Sequence, residues 1–286
     1  MNSVFQIVTE QIVKQLQSGV APWRKPWSTS APRNLVTQKD YRGLNVFLLA
    51  SQGYASPYWL TFNQCQRLGG RIRQGEHSTL VTFWKFGEHV TEDPQTGEDE
   101  THTSVLLRYY RVFNLAQTEG IADKLNLAQR PRVPSIRECE RIVAGMPNPP
   151  AREQSDRAWY RPSCDTVGMP ARDSFHSAEE YYSTLFHELT HSTGHPSRIG
   201  REGIEKLNTF GSESYSKEEL IAELGAAMLC GICGISPATI ENSASYLQSW
   251  ISVLKSDSRM IVSASSSAQK AADFILGKQP KTGGEA

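Results

Sequence analysis

With 286 residues, 38% of them hydrophobic, and a formal net charge of zero, the chain is long enough for two ordinary domains and too apolar for a disordered one. It contains no apolar run near the length of a membrane helix, and its first residues lack the basic and apolar regions of a secretory signal, so neither a membrane partner nor export is expected. Five scattered cysteines do not compose a disulfide framework and suit a reducing cytoplasm; Cys230 and Cys233 close an apolar helix and are expected in the core.

From the N-terminus, apolar residues at 4, 7, 8, 12 and 16 form a helical stripe that Gly19 ends. The segment Ala21-Pro-Trp-Arg-Lys-Pro-Trp27 that follows is irregular and interleaves two tryptophans with two cations. Tyr41-Arg-Gly-Leu-Asn45 opens a second helix, and Trp59-Leu-Thr-Phe-Asn-Gln64 leads through Arg67 to Arg71 and Arg73. Residues 79–86 and 104–113 alternate as strands, and the acidic loop between them closes a hairpin.

The zero net charge conceals a segregation. Between Arg24 and Lys85 there are nine lysines and arginines against only Asp40 and Glu76, while acids collect in the hairpin loop and the C-terminal half. Aromatic rings on irregular backbone beside cations suit single-stranded nucleic acid, because rings stack on bases and cations follow phosphates. Trp23, Arg24, Lys25, Trp27, Tyr41, Arg42, Asn45, Trp59, Gln64, Arg71, Arg73 and Lys85 are the candidate DNA contacts. Large aromatics are more often buried than not, which is the competing role for each tryptophan.

Farther along, residues 135–144 are expected to form a helix within a connector, and residues 159–161 and 165–169 two short strands. A helix over residues 181–191 carries Ser177 and Glu180 as a capping box and Gly194 as a stop. On it lies His187-Glu-Leu-Thr-His191. Two histidines four apart share one helix face and can hold one divalent metal, with Glu188 placed to act as a general base. Zn2+ is the expected ion for two imidazoles and a carboxylate, with Mn2+ or another divalent ion as the alternative. The third ligand cannot come from the position six beyond His191, which is Ser197. It is sought on the amphipathic segment 216–229, where Glu219 and Glu223 sit four apart. Glu219 is taken as the ligand, and Glu223 as the acid that orients a histidine or as the alternative ligand, since Ser216 could instead occupy Glu219 in a capping box. Residues 240–254 and 264–276 are expected as packing helices.

In order, Ala21-Pro-Trp-Arg-Lys-Pro-Trp27, Tyr41-Arg-Gly-Leu-Asn45, Trp59-Leu-Thr-Phe-Asn-Gln64 and Gly69-Gly-Arg-Ile-Arg-Gln-Gly-Glu76 resemble the N-terminal domain of the ArdC antirestriction family, which also resembles a region of some plasmid primases. Tyr110-Arg-Val-Phe-Asn-Leu-Ala-Gln117, Ala158-Trp-Tyr-Arg-Pro162, the His187–His191 motif and residues 215–229 resemble the same family's metallopeptidase-like half. The resemblance implies a plasmid- or phage-borne protein that binds single-stranded DNA and protects incoming DNA from restriction; the alternative is a DNA-targeted zinc metallopeptidase that cleaves a host restriction-system or other host protein. The expected fold is α+β: a single-stranded-DNA-binding domain with a β-hairpin over 1–125, a connector over 126–155, a zincin-like domain over 156–278 and a tail over 279–286.

Overall fold

The computed structural model describes residues 3–24, 31–92, 99–121, 135–201, 204, 213–235 and 244–278. The first helix, α1 (Val4–Gln17), starts on a reciprocal cap in which Ser3 Oγ accepts from the Gln6 amide at 3.3 Å and Gln6 Oε1 from the Ser3 amide at 2.7 Å. Its stripe of Val8, Ile12, Val13 and Leu16 is buried, and Thr9 Oγ1 donates to the carbonyl of Ser258, 2.8 Å away near the far end of the chain. A single turn of 3-10 helix at Pro22–Arg24 follows, then β1 (Arg33–Asn34) and α2 (Leu44–Ala50). β2 (Tyr58–Leu60) runs parallel to β1, and α3 (Phe62–Arg67) begins on a Thr61–Gln64 capping box. A short β3 (Arg71–Ile72) pairs with β6 (Thr118–Glu119) outside the main sheet.

Two long strands dominate this half. β4 (Thr79–Glu92) and β5 (Asp99–Asn114) pair antiparallel from Thr79↔Val112 out to Glu92↔Asp99, beyond the expected strand ends. The ladder runs outward through a stretch whose charges suggest a loop. The sheet order is β1-β2-β5-β4, so β4 is an edge. Asn45 closes part of that edge. Its side-chain oxygen accepts from the Thr82 amide at 2.8 Å and its NH2 donates to the Thr82 carbonyl at 2.7 Å, replacing a neighbouring strand.

In the second half, α4 (Ile136–Ala144) starts at the Ser135 cap. A three-stranded sheet follows, built from β7 (Ala151–Gln154), β8 (Trp159–Arg161) and β9 (Thr166–Met169) in the order β7-β9-β8. The sequence pattern places β8 and β9 but misses β7, whose residues are exposed throughout and show no apolar alternation. Behind the sheet pack α5 (Ala178–Ser192), α6 (Glu213–Cys233), α7 (Ala244–Ser256) and α8 (Met260–Ile275). The expected tail, 279–286, lies outside the described residues. No helix among the described residues is long and apolar enough to cross a membrane.

One apolar core joins both halves. Val8, Ile12 and Trp23 belong to the same buried cluster as Leu185, Phe186, Leu220, Trp250 and Ile275. Smaller clusters around Tyr41, Trp59 and Val112 and around Leu60 and Ile121 serve the N-terminal sheet alone.

Asp165 ties β9 to the turn beyond α5. It adopts left-handed backbone (φ 48°), which Asp tolerates, and receives Arg198 Nη1 and Nη2, each at 2.8 Å. Burial opposes the charge on Asp165, but bonds from Arg198 and Tyr160 outweigh it and hold its carboxyl below the usual range. Asp165→Asn therefore leaves the buried Arg198 without its counter-charge and is expected to cost about 1.5–3 kcal/mol at neutral pH, the range for hydrogen bonds to charged groups. The depressed pKa sets the sign: the contribution is full above the ordinary Asp pKa of about 3.9 and is lost as the pH falls through the lower folded-state value. Urea midpoints of the two proteins should differ at neutral pH and converge in acid.

Candidate functional site

The metal motif sits on α5, and the way α5 meets α6 decides its chemistry. Ser177 Oγ accepts from the Glu180 amide at 3.1 Å and starts α5, while Glu180 turns its own carboxylate to the His176 amide at 2.9 Å instead of completing the capping box. Halfway along, Thr190 lies against Gly225 of α6; a Cβ on Gly225 would come within 2.6 Å of the Thr190 methyl. Only glycine admits this approach, and it brings the acidic turn of α6 over the two histidines.

There His187 Nε2 and His191 Nε2 lie 3.1 Å apart, Glu219 Oε2 is 3.5 Å from His187 Nε2, and Glu219 Oε1 is 3.6 Å from His191 Nε2. Ligands at ordinary zinc–nitrogen distances on a tetrahedron are separated by about 3.3 Å, so these three donors fit one divalent ion. They are the group of His, Cys, Asp and Glu among the described residues whose ligand atoms converge in this way. Ser216 lies inside α6, which begins at Glu213, so the competing capping role for Glu219 does not arise.

Around the donors, further side chains hold His191 and Glu219 in place. His191 Nδ1 faces Glu218 Oε1 at 3.3 Å, which fixes its N–H there and turns the Nε2 lone pair toward the centre. Glu218 is held in turn by Arg201, through Nε at 3.0 Å and Nη2 at 2.5 Å. Arg201 also donates to the Thr190 carbonyl at 2.9 Å and to Thr193 Oγ1 at 2.6 Å, so it clamps the end of α5. Burial works against the charge on Glu218, yet His191 and Arg201 keep its carboxyl below the usual range. Tyr215, one turn before Glu219 on α6, hydrogen-bonds the Glu219 carboxylate. Glu188 is buried within electrostatic range of His187, His191 and Glu219, and burial raises its pKa above the usual value.

Glu218, rather than the expected Glu223, is the acid that meets His191 Nδ1, while Glu223 interacts electrostatically with His187. Glu223 is buried one turn beyond Glu219 and accepts from Trp23 Nε1 at 2.8 Å and from the Tyr246 hydroxyl. Burial pushes its pKa up to about 7. Spacing alone favoured the acid at i+4. The adjacent pair Glu218-Glu219 was the signal for two acids on neighbouring faces of α6.

The candidate DNA contacts separate into groups. Trp23 and Trp59 are 0% and 1% exposed, and Tyr41 is buried, so the expectation that these rings stack on bases is corrected: packing against Trp250 and Tyr54 occupies the tryptophan rings. Asn45 serves the β4 edge, and Gln64 caps α3 and meets Asn34 at 3.2 Å. Arg42 pairs with Asp273 of α8, Arg71 with Glu119 at 2.6 Å and Arg73 with Glu76 at 2.8 Å. Lys85 is exposed on β4. Lys25 and Trp27 lie outside the described residues, and so does the side chain of Arg24.

A helix bearing two histidines, an acidic helix laid over it and a small sheet beside them define a zincin-like protein joined to an N-terminal α+β domain. Family comparison agrees. Residues 2–113 match the N-terminal domain of anti-restriction factor ArdC, and residues 138–267 match a zincin-like metallopeptidase model. Among solved structures, the metal-free antirestriction ArdC protein from the R388 plasmid is 37% identical over 98% of this chain and 100% of that one, with a TM-score of 0.75. Its Mn(II)-bound form gives 36% identity, coverage of 96% and 98%, and a TM-score of 0.71. The uncharacterized protein y4eC of Sinorhizobium fredii is 34% identical over 96% of this chain and 92% of its own length. A DNA primase TraC of Escherichia coli is 37% identical over 96% of this chain, which spans only 27% of that primase. The chain belongs to the ArdC antirestriction family.

Proposed function

We propose that the protein protects incoming DNA from host restriction by binding it as a single strand through its N-terminal half, while the His187–His191–Glu219 centre holds a divalent cation, Zn2+ or Mn2+. The end-to-end match to the antirestriction ArdC protein carries this reading. The cationic bias of the N-terminal half supports the nucleic-acid partner.

A second reading, a metallopeptidase that cuts a host protein, is favoured by one observation: Glu188 is buried beside the donor set, where a purely structural metal site needs no acid. A cation held there supplies Lewis acidity. Glu188, with its pKa raised by burial, would take a proton from the attacking water and pass it to the leaving amine. Tyr215, at Glu219, would orient the substrate carbonyl by hydrogen bonding.

Glu188→Gln separates the readings, since it keeps all three donors and removes the base. Protection of incoming plasmid DNA is expected to survive it unchanged, whereas a proteolytic mechanism would lose about 100- to 10,000-fold in rate. Loss of protection in a folded, metal-loaded Glu188→Gln protein would establish the peptidase reading instead.

A further inference from the structure

Of the cations that the sequence pattern selects, most of those described are paired within the protein, and Lys85 is the exception. Arg42, Arg71 and Arg73 each face a carboxylate, so their charge is largely spent within the protein. Lys85 and Arg108 are exposed, with no ion pair among the described residues, and both lie on the β4–β5 ribbon.

Register places them together. Paired residues of an antiparallel ladder point to the same face, and that face alternates along each strand. Val81↔Tyr110, Phe83↔Arg108 and Lys85↔Leu106 are therefore successive rungs of one face. At its inner end this face packs onto the Tyr41, Trp59 and Val112 cluster, and beyond that its described side chains Lys85, Leu106 and Arg108 are exposed. Phe83 and Tyr110 meet there with ring centroids 5.6 Å apart, half-buried and held at 59° to each other. Leu106, 50% exposed, continues the stripe outward. The opposite face differs: Trp84 is covered by Phe5 of α1, and the exposed Phe86↔Val105 rung beyond it is separated from the cation of its face, Arg111 on the Leu80↔Arg111 rung, by the covered Trp84↔Leu107 rung.

Resting on the single-strand reading above, we propose that the DNA strand lies along this ribbon face, with bases stacked on Phe83 and Tyr110 and phosphates on Arg108 and Lys85. Rings fixed by the sheet give stacking without sequence preference, and cations on alternate rungs follow the backbone. Exposure of an apolar stripe on a rigid ribbon has its reason in this occupant.

The test uses the full-length protein and an oligothymidylate titrated at several salt concentrations. Lys85→Ala/Arg108→Ala should weaken binding on the order of tenfold near 0.1 M salt and reduce the slope of log affinity against log salt by about 1.4, at about 0.7 per phosphate contact. Phe83→Leu, which preserves apolar volume, should also cost about tenfold while leaving the slope unchanged. Photocrosslinks from 4-thiothymidine should map to peptides of residues 79–92 and 99–114. Unchanged affinity and slope in a folded Lys85→Ala/Arg108→Ala protein, or crosslinks elsewhere, would overturn the surface and leave single-strand binding standing. Failure of the wild-type protein to bind the oligonucleotide would overturn both.

Discussion

Glu218→Ala is expected to weaken divalent-metal binding by about 10- to 100-fold although it removes none of the three donors. The reason is the chain of contacts behind His191. With Glu218 present, the His191 Nδ1 proton is committed to a carboxylate 3.3 Å away, and the ring presents Nε2 to the centre. Without it, the imidazole is free to choose its tautomer and to rotate, and each freedom lowers the fraction of protein with all donors aligned. Stability falls as well. Arg201 is 10% exposed and loses the carboxylate that neutralises it, a change that costs about 3–5 kcal/mol where a buried pair is broken from one side. Glu218→Gln divides the two effects. It retains an acceptor for His191 and so most of the metal affinity, while Arg201 still lacks a counter-charge and stability still falls. Calorimetric titration with Zn2+ and Mn2+, together with urea midpoints of the metal-free proteins, reads both. A folded Glu218→Ala protein with wild-type metal affinity would reduce Glu218 to a partner of Arg201 alone.

The same pair of residues shows where sequence stops being informative. The histidine spacing, the helix starts at Ser135 and Ser177, and the core stripe of α1 are local patterns, and the structure forms each of them. Glu219 was also legible, because its relation to His187 and His191 follows from a recurrent two-helix arrangement. Arg201 was not: it lies in the turn beyond α5, and nothing in its neighbours announces that it will reach back to three carbonyl and carboxylate groups. The tryptophans misled for a different reason. The sequence places Trp23 next to Arg24 and Trp59 in a segment that leads to Arg67, but burial is decided by elements far away in sequence, in the case of Trp23 by α6 and α7. β7 was missed because its strand pairing with β9 compensates for a sequence with no apolar alternation.

Trp23→Ala is expected to lower stability by about 4 kcal/mol, or the melting temperature by roughly 10 °C, the cost of emptying a fully buried tryptophan site. The more telling variant is Trp23→Phe, which keeps most of the volume and deletes one hydrogen bond. Glu223 then keeps only the Tyr246 hydroxyl of its two known donors, at a cost of about 1–2 kcal/mol. The pH dependence has a definite sign. Burial raises the Glu223 pKa to about 7, so its protonated form stabilises the fold in acid, and that contribution is lost as the pH rises through the folded value. His187 on α5 and Tyr246 on α7 face the carboxyl and favour its charge, while Glu219 on its own helix opposes it. Removing the Trp23 donor raises the folded pKa further, so the deficit of Trp23→Phe should widen between pH 6 and pH 8. Single-strand affinity should not change, because the ring is 0% exposed and offers no face to a base. A tenfold loss of oligonucleotide binding with unaltered stability would return Trp23 to the DNA surface. The expected result instead makes Trp23 an anchor between the N-terminal segment and α6, the helix that carries Glu219.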